Sequence, residues 1–547
     1  MKLTWLNDDA RLVMKRRYLK EGVSPEERYL RIAETVEEIS GLEGIKDRFI
    51  NYIEKNWVSF ATPVLRSFGE NDNLSISCNK SIIDDTLDSI LSGLHEVGML
   101  SKHGAGTSIC FSNIRSIGSN ISTGGTSEGI IPFLELYDQL ISKVTQGSTR
   151  RGACSAYLSV DHPEIMSFLD IRSDGATVKQ LLPAVTIPEN WIADLKSGDK
   201  NKRKIWSKIL KMRAEIGFPY ILFLDNCNNQ KPQIYKDKNL EIKTSNLCNE
   251  IIEYCDNEKT FACCLSSVNA YYYDDWKHDP NFIFDMNIML DCVIEEYINQ
   301  ASKISGLEKA VKFSKEHRAI GLGVMGFHSY LQENMISIGS LKSFAFNNKL
   351  FSHIRHLSDK ASKWMAKHWG EPEIMKGTGF RNSTRIAVAP TKTTSFIMGQ
   401  YSLGIEPIKS NIHEKEIAGT SFSYHNKKLA EVLENYGKNT NAVWKSIVSN
   451  DGSIQHLDFL STIEKQVFRT FWEISQIDLI KLAAQRQKYI DQGQSLNLMF
   501  DKKASAKDIN KIILMAHEEG IKGLYYQFSI NAAKDFINNQ ECSSCEG

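Results

Sequence analysis

The stretch 245–251, "SNLCNEI", sets one thiol between an amide and a carboxylate, with Asn246 and Glu250 two residues either side of Cys248. A lone cysteine is most often a packing residue and needs no polar escort. A metal-binding thiol would bring further Cys or His at short spacing, and this stretch has none. In an extended segment, side chains two and four residues apart share a face. Read as extended, the segment gathers Asn246, Cys248 and Glu250 into one small volume. That is the company of a catalytic thiol: one group to hold a substrate, one to move a proton. It asks for a fold that can carry a polar loop into its interior.

The chain has 547 residues, 42% hydrophobic and 24% charged, an ordinary globular composition. Such a length accommodates several subdomains or one large α/β core with appendages. Lys+Arg and Asp+Glu both number 66, so the formal net charge is zero. A surface built to coat nucleic acid or an anionic membrane is therefore not expected. The opening "MKLTWLNDDARLVMKRRY" is charged throughout and shows no apolar signal region. No stretch approaches the ~18 apolar residues of a membrane span. Eleven cysteines without regular spacing do not form a disulfide framework, which points to a reducing, cytoplasmic compartment.

In "SPEERYL", Ser24, Pro25 and Glu27 predict a helix start with a capping box, running on through "RIAETVEEIS". Residues 85–102 predict an amphipathic helix whose apolar face is Leu87, Ile90, Leu91, Leu94, Val97 and Leu100. Between these helices, a short strand is expected to end near Cys78. Residues 103–155 are dense in loops, among them "SNISTGGTSEG" and "TQGSTRRGAC". Gly-rich loops of this kind bind phosphates through backbone N–H groups, although none fits a P-loop or dinucleotide fingerprint. The apolar runs "GFPYILFLDN" and "STRIAVAP" alternate with helices such as "WEISQIDLIKLAAQRQKYI" and predict buried strands of an α/β barrel-like core. The polar end, "NAAKDFINNQECSSCEG", predicts a flexible tail. The expected organisation is a helical region over 1–60, a barrel with its loops over 61–530 and a tail over 531–547.

The remaining cysteines divide by company. Cys542 and Cys545 are spaced for a dithiol couple, and no second CxxC or CxxH completes a zinc site. Cys78, and Cys263 or Cys264 in "FACCLSSVN", read equally as core packing or as a two-electron pair. Cys110, Cys154, Cys227, Cys255 and Cys292 read as structural. Tyr525 and Tyr526 are adjacent, and such pairs are more often packing or interface residues; ahead of a dithiol tail they also suit relay of an electron and a proton.

Taken together the chain resembles the large, catalytic subunit of a class I ribonucleotide reductase. The resemblance is carried by "ATPVLRSFG", "LSKHGAGTSICFSNIRSIGS", "TQGSTRRGACSAYL", "SNLCNEI", "CLSSVN", "RAIGLGVMGFHSYL", "STRIAVAPTKTTS", "GIEP", "QRQKYIDQGQSLNL", "GLYYQ" and the terminal CxxC, in that order. It implies a ten-stranded α/β barrel with a helical N-terminal region and a flexible C-terminal tail. It implies reduction of ribonucleoside diphosphates to 2′-deoxyribonucleotides. Cys248 matches the cysteine that carries a thiyl radical, Glu250 the general base and Asn246 the amide on the substrate hydroxyls. Cys78 and Cys263 match the pair that supplies two electrons; Cys264 is the immediate neighbour. Cys542 and Cys545 match the dithiol that re-reduces that pair, and Tyr525 and Tyr526 the radical relay. Thr62 and Ser77 match substrate contacts. Pro390, Thr391, Lys392, Thr393 and Thr394 match the substrate-phosphate loop, where Lys392 departs from the usual Gly or Glu and either meets phosphate or faces solvent. Asp85, Arg115 and Arg150 match contacts to a dNTP or ATP specificity effector.

The same resemblance implies no cofactor or metal in this chain. The radical is expected from a metallocofactor in a separate β subunit. The other expected partners are thioredoxin or glutaredoxin and a second copy in an effector-stabilised dimer. The stretch ahead of the barrel is shorter than an added ATP-binding cone requires, so overall inhibition by dATP is not expected. A class II, adenosylcobalamin-dependent reductase would share the barrel and the thiols but would not need Tyr525 and Tyr526. A glycyl-radical enzyme lacks support in the C-terminal sequence. A decayed dNTP-binding regulator would be expected to have lost some of the thiols, all of which are present.

Overall fold

Two sets of five strands close into a barrel around the 245–251 loop. The structure, a computed structural model, describes residues 1–547 apart from 71, 77, 145–151, 418–419, 502–503 and 530–547. The strands in chain order are β1 (Val58–Phe60), β2 (Cys78–Ile82), β3 (Thr107–Cys110), β4 (Cys154–Ser159), β5 (Leu182–Ile187), β6 (Tyr220–Phe223), β7 (Phe261–Asn269), β8 (Ile320–Met325), β9 (Ile412–Ile417), β10 (Thr420–His425), β11 (Leu498–Phe500), β12 (Gly523–Leu524) and β13 (Gln527–Ser529).

The first half is β2–β3–β4–β5–β6, all parallel. The second half is β7 and β8, parallel, then the 386–388 segment bridged to β8 at Leu322. Gln494, bridged to Val388, follows and leads into β11, which pairs in parallel with β13. Both seams are antiparallel: Cys78 opposes Cys263 between β2 and β7, and Gly523 opposes Leu222 between β12 and β6. This is the ten-stranded α/β barrel that the family resemblance implied. The strands are buried along almost their whole length because helices cover the outside. β1 pairs with the far end of β7, and β9–β10 form a separate hairpin.

Ser24 caps the Pro25–Ser40 helix with the expected capping box through Glu27. This helix shares one apolar core with the barrel, in which Ile32 and Val36 belong to the same buried cluster as Val268 and Leu322. The helix at 85–102 runs Leu87–Lys102 from an N-cap at Thr86. Its face differs from expectation: Ile90, Val97 and Leu100 are buried, whereas Leu87 is 63% and Leu91 47% exposed. Those two lie on a side of the helix that no described element covers. The strand expected to end near Cys78 begins there instead, because Cys78 opens the pairing with β7. "STRIAVAP" contributes bridges rather than a full strand. Among the described residues, no helix is long and apolar enough to cross a membrane.

Candidate active site

The 245–251 segment is a buried tight turn, not the extended run its sequence suggested. Asn249 adopts φ 60° and its N–H donates to Asn246 O at 3.2 Å. Asparagine tolerates this left-handed conformation better than most residues. The turn is tied to the barrel wall on every side. Ser108 Oγ in β3 donates to Ser245 O at 2.7 Å, and Tyr157 OH in β4 donates to Asn246 O at 2.8 Å. Asn249 Nδ2 donates to Ile221 O in β6 and Leu524 O in β12, at 3.0 and 3.1 Å. Gly493 N–H donates to Glu250 O at 2.7 Å. A Cβ on Gly523 would sit 2.6 Å from Asn249 Nδ2, so the wall approaches as closely as it does only because that position has no side chain.

These bonds fix the turn that carries the three residues that the sequence singled out. Asn246 Oδ1 accepts from the N–H groups of Glu250 and Ile251 at 3.1 and 3.0 Å, which fixes the amide. Ser495 Oγ lies 2.8 Å from Cys248 O and 3.2 Å from Glu250 Oε2. Among the described residues, Asn246 Nδ2 and Glu250 Oε1 remain buried without a hydrogen-bond partner. An unsatisfied buried polar atom costs about 1–3 kcal/mol. One donor and one acceptor left open beside a thiol therefore mark a place made for a polar ligand. Burial pushes the Glu250 carboxyl up to about 7, against the lowering pull of the nearby backbone, Asn246 and Ser495. A carboxylate with that affinity is suited to exchange a proton near neutral pH.

Cys78 and Cys263 are direct cross-strand partners, a placement that brings Cβ atoms to roughly 4.5–5.5 Å. Successive β7 side chains alternate faces. Cys263 Sγ meets the Gln492 amide at 3.6 Å, whereas Cys264 is turned to the electrostatic influence of Asp291, Glu296 and Cys292 on the covering helix Phe282–Ala301. Register therefore sets Cys263, not Cys264, opposite Cys78.

A small pocket lies between the 390–394 segment and Ser495, whose hydroxyl meets the turn at Cys248 O and Glu250. Pro390, Lys392, Gly404, Glu406, Lys409, Ser495 and Asn497 line it. Thr391 sits at φ 53° ahead of the short Lys392–Ile397 helix, its Oγ1 accepting from Gly404 N–H at 2.8 Å. Thr393 and Thr394 are buried behind it. Lys392 is half-buried and lines the pocket, with its Nζ 5.2 Å from the centre of the Tyr526 ring. Thr62 is buried with its hydroxyl 3.2 Å from Tyr18 OH and does not line this pocket.

Tyr525 and Tyr526 follow β12, with ring centres 4.3 Å apart. Tyr220 of β6 joins them at 4.6 and 5.1 Å. Tyr526 N–H donates to Asn497 Oδ1 at 3.0 Å, which ties the pair to the pocket. Asp85 and Arg115 form an ion pair of 2.6 Å, and Arg115 N–H also donates to Asp85 at 3.1 Å. Ser77, Arg150, Cys542 and Cys545 lie outside the described residues.

Ser495, Asn497, Gln492 and Tyr220 belong to the site, yet they drew no role from sequence. The "DQGQSLNL" segment held three of them, but nothing local says that it faces a turn some 240 residues earlier in the chain.

A family model described as the ribonucleotide reductase barrel domain matches residues 76–202, 189–374 and 371–527. The ribonucleoside-diphosphate reductase large subunit of Invertebrate iridescent virus 3 is 33% identical, over 98% of this chain and 97% of that protein. The large chain 2 of the Saccharomyces cerevisiae enzyme is 27% identical over 90% of this chain and 66% of its own length. Among solved structures, the Actinobacillus ureae class Id ribonucleotide reductase alpha subunit superposes with TM-score 0.92 at 42% identity, over 97% of this chain and 98% of that one.

Proposed function

Because the chain belongs to the ribonucleotide reductase family, as a class I large subunit, we propose that the cavity around Cys248 reduces ribonucleoside diphosphates by way of a thiyl radical on that sulfur. The class II alternative is set aside, since the relatives are large subunits and the solved neighbour is a class Id alpha subunit. The observation that carries the reading is the pair of open polar atoms, Asn246 Nδ2 and Glu250 Oε1, flanking Cys248 in a buried turn.

In this reading the Cys248 sulfur radical takes the hydrogen from ribose C3′, forming S–H and leaving a carbon radical. Glu250 Oε1 accepts the 3′-hydroxyl proton, which is general-base work, and Asn246 Nδ2 donates to a substrate hydroxyl. The 2′-hydroxyl leaves as water. Cys78 and Cys263 supply two electrons and two protons and close a disulfide. Cys248 returns its hydrogen to C3′ as Glu250 returns its proton to the 3′-oxygen. The Pro390–Thr394 segment, with Lys392, holds the diphosphate, and Thr62 and Ser77 complete the substrate contacts.

The radical reaches Cys248 through Tyr526 and Tyr525 from a metallocofactor in a separate β subunit. Cys542 and Cys545 re-reduce the spent pair and are themselves restored by thioredoxin or glutaredoxin, which suits a reducing cytoplasm. Asp85, Arg115 and Arg150 bind a dNTP or ATP effector. Leu87 and Leu91, with Leu136 on the neighbouring Ile131–Lys143 helix at 40% exposure, support a dimer formed through these helices. The test is turnover by the purified chain with and without a β subunit, in the absence of cobalamin. Deoxynucleotide formation only with β is expected; turnover with adenosylcobalamin alone would overturn the reading.

A further inference from the structure

The turn that carries Cys248 is closed at its neck by a residue that the steps above do not use. Lys80 is fully buried in β2, and its Nζ donates to Thr244 O at 2.8 Å and to Glu253 O. One carbonyl lies on the chain entering the turn and the other on the chain leaving it. Nearer the tip, Ser245 Oγ donates to Ile251 O at 2.8 Å, and Asn246 Oδ1 takes the N–H groups of Glu250 and Ile251. The Glu253 side chain is anchored in turn by Tyr235 OH at 2.5 Å and by the Thr384 hydroxyl. Side chains of β2 alternate faces. Ser81 Oγ donates to Glu96 of the covering helix Leu87–Lys102 at 2.9 Å, whereas Lys80 meets the interior turn. Cys78 shares the Lys80 face. One face of one strand therefore carries a sulfur of the redox pair and the clamp on the Cys248 turn.

Burying an ammonium is costly, and the hydrogen-bond partners of Lys80 among the described residues are peptide carbonyls rather than a carboxylate. A methionine would fill a similar space without that desolvation, but it could not donate to two carbonyls at once. We propose that Lys80 is a positioning residue for the radical step: it ties both ends of the 244–253 segment to β2 and so fixes the Cys248 sulfur relative to the substrate and to Cys78. This rests on the reading of Cys248 as the radical-bearing sulfur. Hydrogen transfer from ribose C3′ needs that sulfur close and aligned, and a displacement of about 1 Å can lower a rate about hundredfold. The diphosphate is read onto the Pro390–Thr394 segment, a different part of the chain. Loss of the clamp should therefore act on kcat rather than on KM.

The experiment uses the full chain with its β subunit, cytidine diphosphate and a dithiol reductant, with Cys248→Ser run beside it. Turnover by Cys248→Ser would sink the radical reading itself, apart from any role of Lys80. With that variant inactive, Lys80→Met should lower kcat about hundredfold and leave KM within about threefold. In hydrogen exchange on the resting chain, the amides of Asn249, Glu250 and Ile251 should open at least about tenfold more readily in Lys80→Met, while those of β4 and β5 keep their rates. Lys80→Gln, whose neutral amide still donates to carbonyls, should recover part of kcat. A kcat within about tenfold of the unmodified chain in Lys80→Met, or a KM that rises as far as kcat falls, would overturn the proposal. So would exchange that quickens evenly through the barrel, with kcat falling only in step with the folded fraction. If neither variant folds, the unmodified chain decides. Its three turn amides should exchange no faster than the Asn79 amide of β2, which donates to Gly106 O at 3.0 Å, and exchange about tenfold faster in the turn would overturn the clamp.

Discussion

Cys78 and Cys263 face each other as register partners at the seam where the two five-stranded halves of the barrel meet. The seam is antiparallel, while the strands within each half are parallel. The pair thus sits where chain segments about 185 residues apart are locked together, and one residue of slip would exchange Cys263 for Cys264.

Register makes the two neighbouring cysteines separable. Cys263→Ser should abolish multiple turnover and leave no Cys78 disulfide on peptide mapping. Cys264→Ala, on the opposite face, should keep turnover and cost only the ~1–2 kcal/mol expected for a small change in a packed core, read by thermal unfolding. Loss of turnover in both would contradict the assignment.

Glu250 couples catalysis and stability to pH. Its folded-state value, about 7, lies above the ordinary 4.5. Between these values the folded chain holds a proton that the unfolded chain has released, so stability falls as pH rises from 4.5 to 7. At about 1.4 kcal/mol per pKa unit, roughly 3 kcal/mol is withheld above pH 7. Glu250→Gln should therefore raise the melting temperature at pH 8 more than at pH 5, while turnover drops about 10²–10⁴-fold. A melting shift equal at both pH values would contradict the burial argument.

The Tyr525 and Tyr526 rings pack on each other and on Tyr220. Phe at either position keeps that ring packing and removes the O–H. Tyr525→Phe and Tyr526→Phe should lower β-dependent turnover by about 10³-fold or more, a barrier increase of ~4 kcal/mol, with effector binding kept. Turnover within tenfold of the unmodified chain in both variants would rule out the relay.

The Asp85–Arg115 pair is about one-third exposed on each side, and such pairs contribute only ~0–1 kcal/mol to stability. Asp85→Asn should leave the melting temperature nearly unmoved yet weaken effector binding by about tenfold, read by equilibrium binding of a dNTP. A large loss of stability with effector affinity retained would make the pair structural.

The sequence made local features legible and left distant ones hidden. The Ser24–Glu27 capping box is complete within four residues and appears as expected. The 245–251 turn misled because its shape is set by Gly493, Ser495, Tyr157 and Leu524, none of them near it in sequence. Leu87 and Leu91 fit an inward face by periodicity, yet periodicity marks only an apolar surface and not what covers it. Gln492 carried no signal at all, since a glutamine's role depends on which atoms it meets, and those come from β7, β8 and the 384–388 segment.

The central claim is that Cys248 carries the unpaired electron. The most direct measurement is turnover of Cys248→Ser with the β subunit and a dithiol reductant, alongside dNTP binding to the same preparation. The account predicts that deoxynucleotide formation is lost while effector binding persists. Turnover within tenfold of the unmodified chain would contradict it.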